Sequence, residues 1–338
     1  MKKAKRFINQ INRYSLAHLR TGHYSKIARF ALNKTRAFLF GYPHHLMIEP
    51  TLECNIKCPL CPTPQSRNPR RFLYGSMPIE TFRKIIDNSK DVIFRVHLTT
   101  FGEPLLNEDL HLMIRYLTDH GIISMISTNA TLLTKNKVEQ LIDAGLDYLI
   151  ISFDGFSPKS YESFRVGADF KKTLANIDTL NHVKLSKKAA KPYVDVQWIR
   201  NRLNENEIGR GRKYFDGMKA INEFHVKSLS LNEHIMPWEK VKALGKRFLP
   251  QKGKIRSQYL NHKIPSKAKD CSDLLSPVVM ANGDVTICCM DFKGEYVVGN
   301  ILEKRFKELW NSSGYRSIRE KGNHFRLPLC KRCPVRFR

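Results

Sequence analysis

The eight cysteines of this 338-residue chain fall in three short stretches, and their placement constrains the fold more than any other feature. Cys54, Cys58 and Cys61 share one loop; Cys271, Cys288 and Cys289 form a second group; Cys330 and Cys333 form a third. Structural disulfides would scatter along the chain, whereas close spacing points to metal binding. More than 200 cysteine-free residues separate the first group from the others, so two sites are expected.

The first loop reads Cys54-x3-Cys58-x2-Cys61 and is broken by Pro59, Pro62 and Pro64. Three thiolates on one short loop can hold three irons of a [4Fe–4S] cube and leave the fourth iron open to an outside chelate. Zinc is the alternative; it prefers four tetrahedral ligands and would draw on His44 or His45. Further on, Cys271 and Cys288 are joined as Cys-x11-Gly-x4-Cys, with Gly283 at a turn, and Cys330-x2-Cys333 supplies a second pair. These can converge on one four-thiolate site, with Cys288 or the adjacent Cys289 as a ligand. The same four thiolates would also suit zinc.

Between the cysteine groups the pattern alternates. Short β-rich runs at Leu46–Glu49, Val92–Thr99, Ile122–Ser127, Tyr148–Phe153, Tyr193–Ile199 and Phe224–Leu229 bracket helical segments near Pro78–Ser89, Asn107–Asp119, Thr134–Ala144, Phe170–Val183 and Asn204–Met218. Thr134 is placed to cap its helix, and Pro78 suits a first turn. Repeated strand–helix units predict an α/β fold, a partial (β/α)6 TIM-like barrel whose site lies at the C-terminal strand ends. Asn282-Gly283 between Pro277–Met280 and Val285–Cys288 predicts a hairpin, followed by a helix with Phe306, Leu309 and Trp310 on one face. The expected organisation is a basic helical extension over 1–45, a core over 46–235, a poorly patterned bridging region over 236–269, and a hairpin-plus-helix iron–sulfur module over 270–338.

The CxxxCxxC loop after the first strand of such a barrel resembles the signature of the radical S-adenosylmethionine (SAM) superfamily. That resemblance implies Cys54, Cys58 and Cys61 as ligands of a [4Fe–4S] cluster whose open iron binds SAM. An electron from the cluster would then cleave SAM to methionine and a 5′-deoxyadenosyl radical, which abstracts hydrogen from substrate. The residue before the third cysteine is usually aromatic in the family; here it is Leu60. Gly102-Glu103-Pro104 resembles the motif that receives the SAM ammonium. Ser127-Thr128-Asn129 and Ser152-Phe153-Asp154-Gly155 resemble strand ends near the SAM ribose and carboxylate, and Arg165 lies where relatives place a SAM-carboxylate arginine. The implied cofactor-binding residues are thus Glu103, Asn129, Ser152 and Arg165. The C-terminal block is similar to a shortened SPASM, or twitch, domain: Asp-Val-Thr-Ile-Cys-Cys, Val298-Gly299-Asn300 and Leu309-Trp310-Asn311 match its pattern. A complete SPASM domain uses seven cysteines for two clusters, and five here limit it to one auxiliary iron–sulfur cluster. Asp154, His97 and Tyr193 stand either near the pocket or in structural places.

The net charge of +27 draws phosphates of any source. Residues 1–47 hold ten Lys/Arg and no acid, with Phe7, Ile8, Ile11 and Tyr14, then Ile27, Phe30, Ala31 and Phe38, at helical spacing. These predict a cap on the core or helices lying on an anionic membrane surface. No stretch spans a bilayer and no signal peptide is apparent, so a cytoplasmic place, peripheral to the membrane at most, is expected. The expected substrate is a small molecule or peptide. The basic charge favours a phosphorylated or lipid-linked sugar-like molecule, and a flavodoxin or ferredoxin would be the reductant. Peptide maturation is one alternative; binding or modification of nucleic acid through the Lys/Arg-rich termini is another.

Overall fold

The computed structural model describes residues 41–43, 45–62, 75–232, 236–252, 276–320 and 326–331, with Ala28, Leu32, Thr35, Leu39, Cys271, Leu274 and Cys333. The expected N-terminal amphipathic helices and His44 lie outside the described residues, as do residues 253–270.

Six parallel strands alternate with helices: β1 (Leu46–Ile48), α1 (Ile79–Asp87), β2 (Arg95–His97), α2 (Leu110–Asp119), β3 (Ile123–Thr128), α3 (Lys135–Asp143), β4 (Tyr148–Ser152), α4 (Pro158–Phe164), α5 (Phe170–Ser186), β5 (Tyr193–Ile199), α6 (Ile208–Asp216) and β6 (Glu223–Lys227). They pair in sequence order, with β6 at the sheet edge and unpaired to β1, so the barrel stays open. Thr134, Ser157 and Asp169 cap α3, α4 and α5 by accepting N–H groups of the first turn. Pro78 sits at the N-cap of α1, one position before the expected first turn.

The strand period of two divides the sheet into unlike faces. Val96, Ile126, Leu149, Ile151, Val194, Val196 and Trp198 are fully buried beneath the helices. The alternate residues turn into the lumen and are mostly polar and half-buried: Arg95, His97, Ser127, Tyr148, Tyr193, Gln197 and His225. A filled barrel would bury branched apolar residues there; this one turns mostly polar side chains inward, among them the buried Asp195.

Four features depart from the sequence reading. The seven-residue α4 is hidden by its shortness. Helix α7 (Trp238–Phe248) occupies the stretch read as a bridging region; its lysines obscure an apolar stripe of Val241, Leu244 and Phe248. Two further helices, α9 (Ser313–Arg319) and α10 (Pro328–Lys331), follow the predicted one, α8 (Phe306–Asn311). Finally, the hairpin of β7 (Val278–Val279) and β8 (Asp284–Thr286) forms as expected, with Gly283 at φ +87°, but it is not a separate body. Strand β7 pairs in parallel with β1, Met47 opposite Val278, so β7, β8 and β9 (Val297–Asn300) extend the barrel sheet.

Trp310 anchors this extension. It is fully buried between Phe306 and Tyr315, donates its indole N–H to the Gly41 carbonyl (3.0 Å), and carries the Arg319 guanidinium 3.6 Å above its ring. Asn88, at the end of α1, clasps the same module by donating to the Ile301 carbonyl and accepting from the Phe306 N–H. Replacing Trp310 with alanine is expected to destabilise the chain by about 3–5 kcal/mol. Denaturant unfolding followed by circular dichroism checks this; an unchanged midpoint would contradict the anchoring role.

Candidate active site and metal centres

The cysteine loop that follows β1 is held by backbone contacts from distant parts of the chain. The Glu103 N–H donates to the Glu53 carbonyl (2.7 Å), Lys57 N–H to the Val166 carbonyl (2.7 Å), and Met77 N–H to the Pro50 carbonyl (2.7 Å). Asn107 bridges the Pro50 and Met77 carbonyls, and Asn232 donates to the Leu60 carbonyl (2.7 Å). Leu60 itself is buried against Phe164, Phe248 and Leu229. Gly102 makes the closest approach: at φ +94°, a Cβ there would lie 2.4 Å from the Thr51 carbonyl oxygen, so no other residue fits without moving the loop.

Cys54, Cys58 and Cys61 all line one cavity of about 370 Å³ at the C-terminal ends of the strands. Thr99, Ser127, Ser152, Ile199 and Lys227 furnish its other walls, each from the end of a different strand. Burial pushes the Cys54 thiol up to about 11; an N–H of Ile56 opposes this, and the charges of Glu103, Cys58 and Cys61 add to it. Three crowded, poorly solvated thiolates call for positive charge among them, which iron supplies. The three loop thiols border one cavity whose lining holds no fourth cysteine among the described residues, which suits three irons of a cube with one left open. The donor set therefore fits a cluster.

Two polar clamps face these sulfurs. Glu103 is buried and accepts from Thr128 Oγ1 (2.7 Å), Asn129 N–H (2.7 Å) and Leu105 N–H (3.2 Å). Asn129 Nδ2 bonds Asn55 Oδ1 at 3.0 Å and points to Cys54 Sγ at 3.9 Å. On the other side, Arg165 Nε donates to Asp154 Oδ2 (2.6 Å), while its Nη1 reaches Cys58 Sγ at 3.7 Å. Burial works against this guanidinium, but Asp154 and Cys58 outweigh it and hold Arg165 above the ordinary arginine range. Asp154 is itself fixed by the Ile199 N–H, and its carbonyl by Asn204.

All four residues expected near SAM thus meet at one cavity: Glu103, Asn129, Ser152 and Arg165. Asp154 lies behind Arg165 rather than in the cavity lining. His97 sits lower in the lumen. Tyr193 begins β5, at the opposite end from the site, where it donates to Glu223 (2.9 Å). Sequence reasoning missed Asn204, Asn232 and Lys227, whose positions follow from strand order and carry no local motif.

In the C-terminal module Cys288, Cys330 and Cys333 are buried and Cys271 and Cys289 half-buried. Burial pushes the Cys288 thiol well up, reinforced by Cys289, Cys333 and Cys330, with an N–H of Met290 opposing. Cys288 therefore shares a dry environment with the Cys330–Cys333 pair, again a donor set that suits a cationic metal group. Cys289 borders a small gap with Glu49, Thr100 and Phe101. Phe101 lines both that gap and the large cavity and packs edge-on to Phe292, ring centroids 4.8 Å apart. The two cysteine sites are neighbours across this aromatic pair.

An open parallel barrel with three thiols at its rim defines a cluster-binding α/β protein, and the comparisons agree. Residues 48–193 match the radical SAM superfamily, and residues 274–334 match the SPASM iron–sulfur cluster-binding domain. The chain belongs to the radical SAM superfamily and carries a SPASM domain at its C-terminus. The corresponding cofactors are a [4Fe–4S] cluster with SAM and an auxiliary iron–sulfur cluster. AdoMet-dependent heme synthase of Methanosarcina barkeri is 31% identical over 139 residues, which is 41% of this chain and 39% of that relative. The match thus spans about two-fifths of that relative's length. Streptococcus suis SuiB bound to precursor peptide SuiA superposes with a TM-score of 0.61 at 16% identity, covering 92% of this chain and 76% of that one. BtrN in complex with AdoMet and 2-DOIA gives a TM-score of 0.53 at 19% identity, covering 86% and 92%.

Burial raises the Glu103 carboxyl from 4.5 to about 7; the bonds from Asn129, Thr128 and Leu105 and the charge of Arg165 oppose that rise. Between those values the unfolded chain releases this proton while the folded chain keeps it, so stability falls as pH rises through the window. The effect is absent below about 4.5 and complete above about 7. Glu103→Gln should remove this slope. Guanidinium unfolding of the cluster-free chain under argon, compared below and above the window, checks it; equal pH dependence in both proteins would contradict the assignment.

Proposed function

We propose that this chain is a radical SAM enzyme in which Cys54, Cys58 and Cys61 hold a site-differentiated [4Fe–4S] cluster and the neighbouring clamps bind SAM. The observation that carries the reading is three thiols around a 370 Å³ cavity that also presents one buried carboxylate and one buttressed guanidinium. When bound, the cluster supplies the electron that splits the SAM sulfonium and so starts hydrogen abstraction from the substrate.

The chain's own residues do the positioning. Glu103, fixed by Thr128 and Asn129, receives the SAM ammonium, whose charge stabilises the ionised carboxyl that burial disfavours. Arg165 takes the SAM carboxylate, with Asp154 keeping its fork aimed. Asn129 and Ser152 border the ribose. Leu60 and Phe164 keep one wall dry, which limits quenching by water. Cys271, Cys288, Cys330 and Cys333 would hold the auxiliary cluster, which would supply a redox centre beside the Phe101–Phe292 contact.

The strongly basic chain supports a phosphorylated or lipid-linked sugar-like substrate. A peptide is the second reading, supported by the likeness to SuiB in complex with its precursor peptide. Comparing deoxyadenosine formation with phosphorylated sugars and with candidate precursor peptides separates them.

After anaerobic reconstitution the chain should hold on the order of eight irons, falling to about four in Cys330→Ala. That variant should still form deoxyadenosine from SAM and dithionite without substrate, whereas Cys58→Ala should form none. Iron analysis and chromatography read both. Deoxyadenosine from the Cys58 variant at the wild-type rate would sink the proposal.

A further inference from the structure

In the C-terminal module one buried hydroxyl has nothing to bond to. Tyr315 is 1% exposed, and its OH is buried with no hydrogen-bond partner among the described residues. The ring cannot swing in search of one. Ser312, the N-cap of α9, accepts the Tyr315 N–H (3.4 Å). Trp310 packs edge-on to the ring, centroids 5.1 Å apart, and the Arg319 guanidinium lies 4.5 Å from the ring centroid. An unpaired buried hydroxyl costs on the order of 1–3 kcal/mol, and native structures supply such groups with an acceptor.

The neighbouring groups say which acceptor. Burial pushes the Tyr315 hydroxyl up; Arg319 opposes that rise and the Cys288 thiol adds to it. These two groups therefore stand near enough to act on the hydroxyl. Arg319 cannot satisfy it, because a guanidinium carries donors and no acceptor. Its Nη2 is spent on the Trp310 carbonyl (2.6 Å), and its own Nη1 is buried without a partner among the described residues. Sulfur is what remains. Cys288 is buried and feels the charges of Cys289, Cys333 and Cys330. Thr286, two residues before Cys288, is also fully buried with an unpartnered Oγ1. Unanswered hydroxyls thus gather in the module that gathers the thiols. An iron–sulfur cluster brings the acceptors these donors lack, namely charged thiolate sulfurs and sulfides.

We propose that the Tyr315 hydroxyl donates a hydrogen bond to the auxiliary cluster, through the Cys288 sulfur or a neighbouring sulfide, and that this bond raises the reduction potential of the cluster. The assignment rests on the auxiliary-cluster reading and adds the residue that tunes it. Tyr315 touches no substrate; it acts through the cluster. The sign follows from charge. Reduction adds one electron to the cluster, its sulfurs become better acceptors, and the bond stabilises the reduced form. The Arg319 guanidinium beside the ring makes the phenol a stronger donor still.

The test is a potentiometric titration with dithionite under argon, followed by electron paramagnetic resonance, on the reconstituted Cys58→Ala protein, in which the auxiliary cluster stands alone. Adding Tyr315→Phe should leave about four irons per chain. It should shift the one-electron equilibrium against reduction roughly tenfold, a fall in midpoint of about 59 mV. Tyr315→3-fluorotyrosine nearly keeps the shape and makes the hydroxyl a stronger acid, so its midpoint should rise; it decides if the phenylalanine variant fails to fold or loads no iron. Tyr116→Phe, which removes a hydroxyl that donates to Asp87 (2.9 Å) far from the module's cysteines, should leave the midpoint in place. An unchanged or raised midpoint in Tyr315→Phe, an unchanged or lowered one in the fluorotyrosine variant, or an equal fall in Tyr116→Phe overturns the assignment while the cluster itself stands. Absence of any cluster in the Cys58→Ala parent, read by iron analysis, overturns the auxiliary-cluster reading and the assignment with it.

Discussion

The backbone contact between the loop after β2 and the cysteine loop after β1 governs the rest of the site. Gly102 passes so close to Thr51 and Glu53 that a methyl group would not fit, and the Glu103 N–H closes the contact on the Glu53 carbonyl. This one approach places the Glu103 carboxylate beside three thiols that lie about fifty residues earlier. The Val166, Pro50 and Leu60 contacts hold the same loop from its other sides, with all three cysteines at one cavity.

The open barrel has a second consequence. Because β6 does not return to β1, apolar layers need not fill the lumen, and inward positions are free to carry charge. The outer faces satisfy the hydrophobic requirement, with Phe153 against Phe215 of α6 and Trp198 beneath Gly211 of the same helix. Folding and function are thus divided by strand parity: odd and even positions of the same strand answer to different demands. The SPASM strands continue the sheet from β1, and this continuity sets the two cysteine sites side by side across Phe101 and Phe292.

Much of this architecture is legible in the chain itself. The Cys54–Cys61 spacing, the strand–helix alternation and the Asn282-Gly283 turn are local signals, and so are the motif positions Glu103, Asn129, Ser152 and Arg165, which line one cavity. What escaped depends on contacts between distant residues. Asp154 was visible only as a strand-end acid; its grip on Arg165 needs α4 to fold back over the site. Helix α7 was masked by its lysines, although Val241, Leu244 and Phe248 form its buried stripe. Asn232 and Lys227 lie more than 160 residues from the cysteine loop and carry no motif at all. Nor could spacing separate Cys288 from Cys289: both follow β8 in a turn, and Cys288 is the more buried of the two.

The central claim is that the Cys54–Cys58–Cys61 site leaves one iron open to SAM. Electron–nuclear double resonance on the reduced Cys330→Ala protein, with SAM carrying ¹⁵N in its amino group, tests it most directly, because the auxiliary cluster is then absent. A hyperfine coupling from that nitrogen is expected, together with a change in the cluster spectrum on adding SAM. A spectrum indifferent to SAM, with no nitrogen coupling, would contradict the account.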